Sequence, residues 1–352
     1  MTLADLTRQA GEWLRGVGPM SDVVISTRVR LARNLAGTPF LSRCTHDQLR
    51  ELEARLRAAI LEAGIARNLF YVDVAAAGTV DRQLLVERHL ISREHAAADH
   101  PRGVAISGDE TAAIMVNEED HLRVQVLRSG LALQEAAEQV NAIDDRLEER
   151  LDYAFHSRYG YLTACPTNVG TGMRLSVMVH LPGLKLTGSI KKVVQACRDM
   201  RVAIRGMYGE GTDAIGDFFQ ISNQTSLGRT ESQIVEEFRD LIVPQVARYE
   251  HAARQALLAD HRLFLEDKVF RAAGVLRSAR TISSEETLYL LSLVRLGVLL
   301  GLMTQVDLRL VGELFLVTQA AHLQRVLGRE MPQPTQRDEA RAEYIRRRLG
   351  AG

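Results

Sequence analysis

The chain has 352 residues, 46% of them hydrophobic and 25% charged, an ordinary globular composition that suits one large domain or two of average size. Lys plus Arg and Asp plus Glu are both 44, so the net charge is zero, which speaks against a nucleic-acid binder with a basic surface. Cys44, Cys165 and Cys197 form no Cys-x-x-Cys pair, so neither a disulfide framework nor a cysteine zinc site is expected, and a reducing cytoplasm fits.

The start, "MTLADLTRQAGEWL", lacks a basic stretch followed by an apolar core, so no signal peptide is expected. From about Ser21 to Gly228 strands, turns and glycines alternate. "STRVR" reads as a strand with Arg28 and Arg30 on one side. "THDQLRELEARLRAAILEAG" reads as a helix. "AAIMVNEEDHLRVQVL" reads as two short strands around a polar turn at Asn117–Asp120. "YLTACP" is a further strand candidate. In "RLSVMVHL", Leu175, Val177, Val179 and Leu181 share one face, the period of a half-buried strand. "SIKKVVQACRDM" reads as a second helix and "DFFQIS" as a strand. After Gly228 the texture turns helical, with S/T-x-x-E/Q capping boxes at Thr230–Gln233 and Ser283–Glu286. "LYLLSLVRLGVLLGLM" carries Arg295 at its centre and is short for a membrane span, so it reads as a buried bundle helix. A last helix is expected near Thr335, after "MPQP". The class is α+β with a largely antiparallel sheet, followed by an all-α C-terminal domain. The expected division is a short segment 1–20, a domain over 21–240 and a helical domain over 241–352.

"TACPTNVGTG" (Thr163–Gly172) raises the question of function. Its Gly-x-Gly lacks the third glycine of a dinucleotide fingerprint and the Gly-Lys-Ser/Thr of a P-loop. Arginines recur where loops meet strands: Arg28, Arg30, Arg123, Arg174 and Arg205. Singly, each reads as a solvated surface residue. Gathered on one sheet face they would repel one another unless anions sat between them. Arginine is also the better planar, bidentate ligand for phosphate.

"STRVRLARNL", "NEEDHLR", "CPTNVGTGMRLSV" and "ISNQTSLGRTE", in this order, resemble the signature segments of the ATP:guanidino phosphotransferases, the phosphagen kinases. The resemblance covers roughly Ser21 to Arg229. It implies an ATP site at Ser26, Thr27, Arg28, Val29, Arg30, His89, Arg123, Arg174, Leu175, Ser176, Val177 and Met178. To these it adds Arg205, Gly206, Met207, Tyr208, Gly209 and Glu210. Arginine side chains would replace the P-loop, and Mg²⁺ would be held mainly by phosphates and water with few or no protein ligands. The acceptor guanidinium has a pKa above about 12 and is a poor nucleophile, so carboxylates must align it and take its proton. Glu119 and Glu210 match the family pattern for that task. Cys165 is placed beside the guanidine, and glycine-rich 205–216 reads as a lid.

Phosphagen kinases for free amino-acid substrates carry a helical domain before the "STR" segment. Here only about twenty residues precede Ser21, and a helical extension of roughly 120 residues follows instead. This architecture resembles the bacterial protein-arginine kinases of the McsB type, whose substrate is an arginine side chain in a protein. "QRDEARAEYIRR" contains Arg337-Asp338-Glu339-Ala340-Arg341-Ala342, an RDxxRA motif that in that branch forms an allosteric phosphoarginine pocket. Without the resemblance, the same segment reads as a charged helix capped by Thr335. The resemblance implies a cytoplasmic homodimer in the stress response. Its implied partners are protein substrates with accessible arginines, among them a heat-shock repressor, a zinc-containing activator protein and a downstream Clp protease, with no nucleic acid and no membrane. Two other readings stand beside it: a kinase for free arginine or another small guanidine, and a non-catalytic phosphoarginine-binding scaffold.

Overall fold

The computed structural model describes residues 3–7, 10–206 and 215–350. Its strands are β1 (Val24–Arg33), β2 (Phe70–Asp73), β3 (Gly103–Ile106), β4 (Ala112–Val116), β5 (Leu122–Ser129), β6 (Phe155–His156), β7 (Gly160–Tyr161), β8 (Met173–His180), β9 (Val202–Gly206) and β10 (Phe218–Asn223). The first helices are α1 (Leu3–Leu6), α2 (His46–Glu62), α3 (Thr79–Glu87), α4 (Arg93–Ala97), α5 (Leu133–Glu148), α6 (Pro182–Leu186), α7 (Ile190–Asp199) and α8 (Glu231–Glu236). The rest are α9 (Val243–Asp260), α10 (Arg262–Ser278), α11 (Ser284–Leu299), α12 (Leu308–Val317), α13 (Ala320–Leu327) and α14 (Pro334–Arg348). Eight strands form one sheet in the order β2-β3-β4-β5-β1-β8-β10-β9, with every pairing antiparallel, and β6 and β7 make a separate hairpin. This is the α+β class the alternation of patterns predicts. Among the described residues no helix is long and apolar enough to cross a membrane.

Local chemistry sets the elements. Thr45 opens α2 with a full capping box: its hydroxyl accepts from Gln48 N–H while the Gln48 side chain accepts from Thr45 N–H. Thr230 and Gln233 repeat the device at α8. The last helix is capped by Gln333, not Thr335. From α8 the chain continues through a π-helical turn, Glu237–Ile242, directly into α9. Helix α5 is an addition to the expected elements, and Leu133, Ala136, Ala137, Val140 and Leu147 bury one of its faces at helical spacing. "YLTACP" contributes only Tyr161 to β7, and Pro166 starts a 3-10 turn at Pro166–Asn168.

One sheet face is continuous core. Val29 and Leu31 of β1, Val124 and Val126 of β5, and Leu175, Val177 and Val179 of β8 pack there against α2, α5, α7, α8 and α9. The opposite face carries two apolar patches. At the β2–β4 end, Val104, Ile106 and Met115 meet Leu85, Val86 and Ile91 from α3 and its exit. At the other end Met178 and Phe218 meet α10, α11 and α12. Strand β8 is therefore covered on both sides, and the half-buried strand expected from its alternation is corrected. Helix α11 is the buried bundle helix expected from its apolar run. Its Arg295 donates to the carbonyls of Ser21 and Asp22, and burial pushes its pKa down to about 9.

An ion pair is sealed inside the first core layer. Arg33 donates through Nε (2.9 Å) and Nη2 (2.6 Å) to Asp144 of α5, and its guanidinium lies 3.6 Å from the Tyr161 ring centroid. Burial pushes the Asp144 carboxyl up, and Arg33 opposes that. Arg33→Met is expected to cost about 3–5 kcal/mol in chemical denaturation, because it strands a buried carboxylate. Unchanged stability would show that Asp144 does not depend on Arg33.

Candidate active site

The two apolar patches leave a gap over the middle of the sheet. Strand register fills it with charge. Arg30 of β1 lies opposite Arg174 of β8, Arg28 opposite Ser176, and Ala32 opposite Arg123 of β5. Gln220 of β10 lies opposite Arg205 of β9. Alternation points these side chains to the same side, and a cavity of about 650 Å³ opens there. Arg28, Arg30, Arg93, Arg123, Arg174 and Arg205 line it.

The wall is short of negative charge. Arg28 donates to Gln220 Oε1 (2.8 Å) and Ser176 Oγ (3.3 Å), both neutral. Burial, then repulsion from Arg174 and Arg123, brings its pKa down to about 10. Burial and the charges of Arg28, Arg123 and Arg174 depress Arg30 further, and Glu118 only partly offsets them. Arg30 Nε is buried without a hydrogen-bond partner. Such a wall is completed by a ligand with several anionic oxygens.

The acidic side comes from the turn after β4. Asn117 adopts a left-handed backbone (φ 58°), and its amide donates to Leu49 and Pro101 carbonyls. Asp120 Oδ1 accepts from Asn34 Nδ2 and from Ala164 N–H, each at 2.6 Å. The second bond ties the turn to the loop carrying Cys165, so Glu119 and Cys165 line the same cavity. The two glutamates differ in role. Glu118 is buried and accepts from Arg123 Nη1 (2.8 Å) and Ser92 Oγ (2.6 Å). Burial raises its carboxyl, but Arg123, Ser92 and the Glu119 N–H outweigh that and hold it below the usual range. Glu119 has its side chain 48% exposed and accepts from Arg123 Nη2 at 2.9 Å. For Arg123 burial works against the charge, yet Glu118, Asp120 and Glu119 raise its pKa.

The glycines of "GTG" solve a packing problem. Gly170 (φ 118°) and Gly172 (φ 71°) are left-handed, and a Cβ on Gly172 would lie 2.7 Å from Ala32 O and 2.5 Å from Arg33 Nη1. Gly172 brings the loop against β1 and Gly170 brings it against Ser226 and Leu227, and Cys165 lies at the cavity with its Sγ 3.0 Å from Thr167 Oγ1. His89, also left-handed (φ 58°), lines the far wall and packs edge-on against Trp13 at 4.4 Å. Burial, with repulsion from Arg28 and Arg93, pushes its pKa down to about 3, so it is neutral.

The structure brings together Arg28, Arg30, His89, Arg123, Arg174, Arg205, Glu119 and Cys165 of the expected site, with Ser176 bonded to Arg28. It corrects others. Val29, Leu175 and Val177 face the opposite core, Thr27 donates to Gly130 O, and Met178 packs in the second apolar patch. Ser26 is buried, and Gly206 closes β9. Met207, Tyr208, Gly209 and Glu210, and with them most of the expected lid, lie outside the described residues. Glu118, Ser92, Arg93 and Gln220 join the site without having been expected there. Gln220 carried a signal, being a polar residue inside the apolar strand "DFFQIS".

The RDxxRA segment is the start of α14, and it divides. Ala340, Arg341 and Ala342 are buried. Arg341 donates to Thr318 O (2.6 Å), Ile282 O (2.7 Å) and Asp338 Oδ1 (2.5 Å), so in this structure it braces α14 against its neighbours. Arg337 and Asp338 are half-buried and Glu339 is exposed. Arg337 donates to Met331 and Pro332 carbonyls.

An arginine-walled cavity on an antiparallel sheet, faced by a carboxylate and a cysteine, defines a class. The model for the ATP:guanido phosphotransferase C-terminal catalytic domain matches residues 51–253. The structure is similar to the duplicated taurocyamine kinase of Schistosoma mansoni (TM-score 0.60, 26% identity, 71% of this chain and 37% of that one). It is also similar to lombricine kinase (TM-score 0.57, 27% identity, 73% and 71%). The chain belongs to the ATP:guanido phosphotransferases and is an enzyme of that class. Its relatives narrow this further. The protein-arginine kinase of Halothermothrix orenii is 45% identical over 350 residues (99% of both chains), and that of Symbiobacterium thermophilum is 47% identical over 349 residues (98% of both). The model for the C-terminal domain of the protein-arginine kinase McsB matches residues 262–351. Within the family, the chain belongs to the protein-arginine kinases.

Proposed function

We propose that the cavity holds ATP against Arg28, Arg30, Arg123, Arg174 and Arg205 and receives an arginine side chain of a protein beside Glu119 and Cys165. The observation that carries this reading is the buried wall of like charges, with Arg30 Nε unsatisfied and Arg28 held down to about 10. The phosphates of ATP supply the missing negative charge and the acceptor oxygens. Among the described residues no cluster of three or more His, Cys, Asp or Glu is placed to hold a metal, and an arginine wall repels a bare cation. Mg²⁺ fits as an ion held by phosphates and water, where it balances charge on the phosphate oxygens.

Glu119 accepts a hydrogen bond from the substrate guanidinium, aligns one nitrogen and takes its proton. The freed lone pair attacks the γ-phosphorus. The N–P bond forms as the bond from phosphorus to the β,γ-bridging oxygen breaks, and ADP leaves with that electron pair. Cys165 lines the same cavity and steadies the guanidinium there. Glu210 belongs to this reading on sequence grounds. A kinase assay offering free arginine and an arginine-rich protein side by side tests it. Phosphoarginine in the protein is the expected product. Preference for free arginine would reassign the substrate, and no transfer to either would leave a binding scaffold.

The proposed division is a catalytic part over 21–240 and a helical, dimer-forming part over 241–352. Arg337 and Asp338 are proposed to read phosphoarginine, the first meeting the phosphoryl group and the second the guanidinium. Arg337→Ala with Asp338→Ala is expected to abolish binding of free phosphoarginine in a titration with the catalytic cavity filled by a nucleotide analogue. Equal binding by wild type and double variant would return 337–342 to a charged surface helix. A cytoplasmic role in the stress response, a heat-shock repressor as substrate, a zinc-containing activator and a Clp protease downstream rest on the family resemblance alone.

A further inference from the structure

Helix α13 meets α3 across a buried cluster of charge. Glu87, Arg88, Glu110 and His322 are each at most 2% exposed. Glu87, the last residue of α3, accepts from Ala321 N–H (2.9 Å) and His322 N–H (3.0 Å), so a carboxylate caps the N-terminus of α13 across 234 residues of chain. His322 Nδ1 lies 2.9 Å from the same carboxylate, and its Nε2 lies 3.0 Å from Arg88 Nη1. A carboxylate only accepts and a guanidinium only donates, so one arrangement satisfies both: a neutral imidazole with its proton on Nδ1. Burial favours that neutral form. Arg88 completes the cluster with a bidentate pair to Glu110, Nε to Oε2 at 2.7 Å and Nη2 to Oε1.

The next residue in the chain is His89, at the cavity wall and in a left-handed backbone that a non-glycine residue adopts only where its surroundings impose it. On the other side, α13 follows Thr318, whose carbonyl receives Arg341 of α14. Buried hydrogen bonds on either side of the short backbone stretch Thr318–Ala321 thus link α14 to Arg88, the residue before His89.

We propose that Glu87, Arg88 and His322 form a positioning joint through which the C-terminal helices set the His89 wall of the nucleotide cavity. The inference rests on the reading of that cavity as the ATP site. It assigns to three residues outside the cavity control over nucleotide binding, and it accounts for two charges and a histidine in an interface that apolar side chains could have filled.

The chain has a single tryptophan, Trp13, packed on His89, so its emission reports on that wall. Glu87→Gln keeps the shape and removes the charge. It is expected to shift Trp13 emission before any ligand is added and to weaken ADP in calorimetry by roughly tenfold to a hundredfold, the scale of a misplacement near 1 Å. The rate at saturating ATP is expected to fall less than KM rises, and Glu87→Asp to recover part of the loss. His322→Asn keeps a donor for Glu87 but loses the contact to Arg88, and it is expected to act in the same direction. If Glu87→Gln does not fold, His322→Asn decides the question alone. Arg174→Ala, in the cavity itself, is the reference. Folded Glu87→Gln and His322→Asn proteins with wild-type emission and ADP affinity, while Arg174→Ala weakens ADP, would overturn the joint. Wild-type ADP affinity in all three would remove the nucleotide from this cavity and the joint's role with it.

Discussion

Replacing Glu119 by glutamine is expected to cut phosphorylation of a protein substrate by about 10²–10⁴-fold, the usual range for a general base, with no measurable loss of stability. The two halves of this statement have separate causes. Glu119 is half exposed and its pair with Arg123 is a surface pair, worth little to the fold. The amide keeps an acceptor for hydrogen bonding but takes no proton at neutral pH. Its neighbour provides the contrast. Glu118→Gln removes a buried charge that Arg123 is built around, and it is expected to lower the melting temperature as well as activity. Turnover on an arginine-containing protein, read beside a thermal melt, separates the pair. Near-normal turnover in Glu119→Gln would remove it from the proton-accepting role.

Arg30→Met is expected to move stability and affinity in opposite directions. In the ligand-free chain Arg30 is buried among like charges with its Nε unpaired, so an apolar side chain of similar length removes a repulsion. The melting temperature without nucleotide should stay level or rise. ATP should bind about 10–100-fold more weakly, since a charge-assisted hydrogen bond contributes roughly 1.5–3 kcal/mol. A structural arginine behaves otherwise: its loss lowers the melting temperature and leaves calorimetric affinity alone. That outcome would take Arg30 out of the phosphate site.

The sheet and the site were legible to different depths, for physical reasons. "AAIMVNEEDHLRVQVL" became β4, turn and β5 because alternation and turn chemistry are local. Thr230 and Ser283 capped as their spacing indicated. Alternation also placed Arg28 and Arg30 on one side of β1. Their meeting with Arg174 and Arg123 depends on strand order and register, which no local pattern contains. Arg33 and Asp144 are 111 residues apart, and nothing in either segment marks the pair. Arg341 shows what a motif alone leaves out. Its motif suggested a ligand, but the guanidinium is bonded to two carbonyls and a neighbouring aspartate. Helix α5 needed no tertiary information, since its buried residues recur at a helical period within one short segment.

The proposed clamp on the donor is made of the same functional group that the enzyme phosphorylates. A guanidinium becomes a nucleophile only on losing a proton, and burial with repulsion from Arg174 and Arg123 pushes the Arg28 pKa down to about 10, so its charge is held least firmly while the cavity is empty. Binding the triphosphate reverses the balance: the anion raises the pKa of each guanidinium it touches and locks the proton on. The donor therefore protects the wall against itself, and reactivity is left to the one guanidine that has a carboxylate at its side in place of a phosphate.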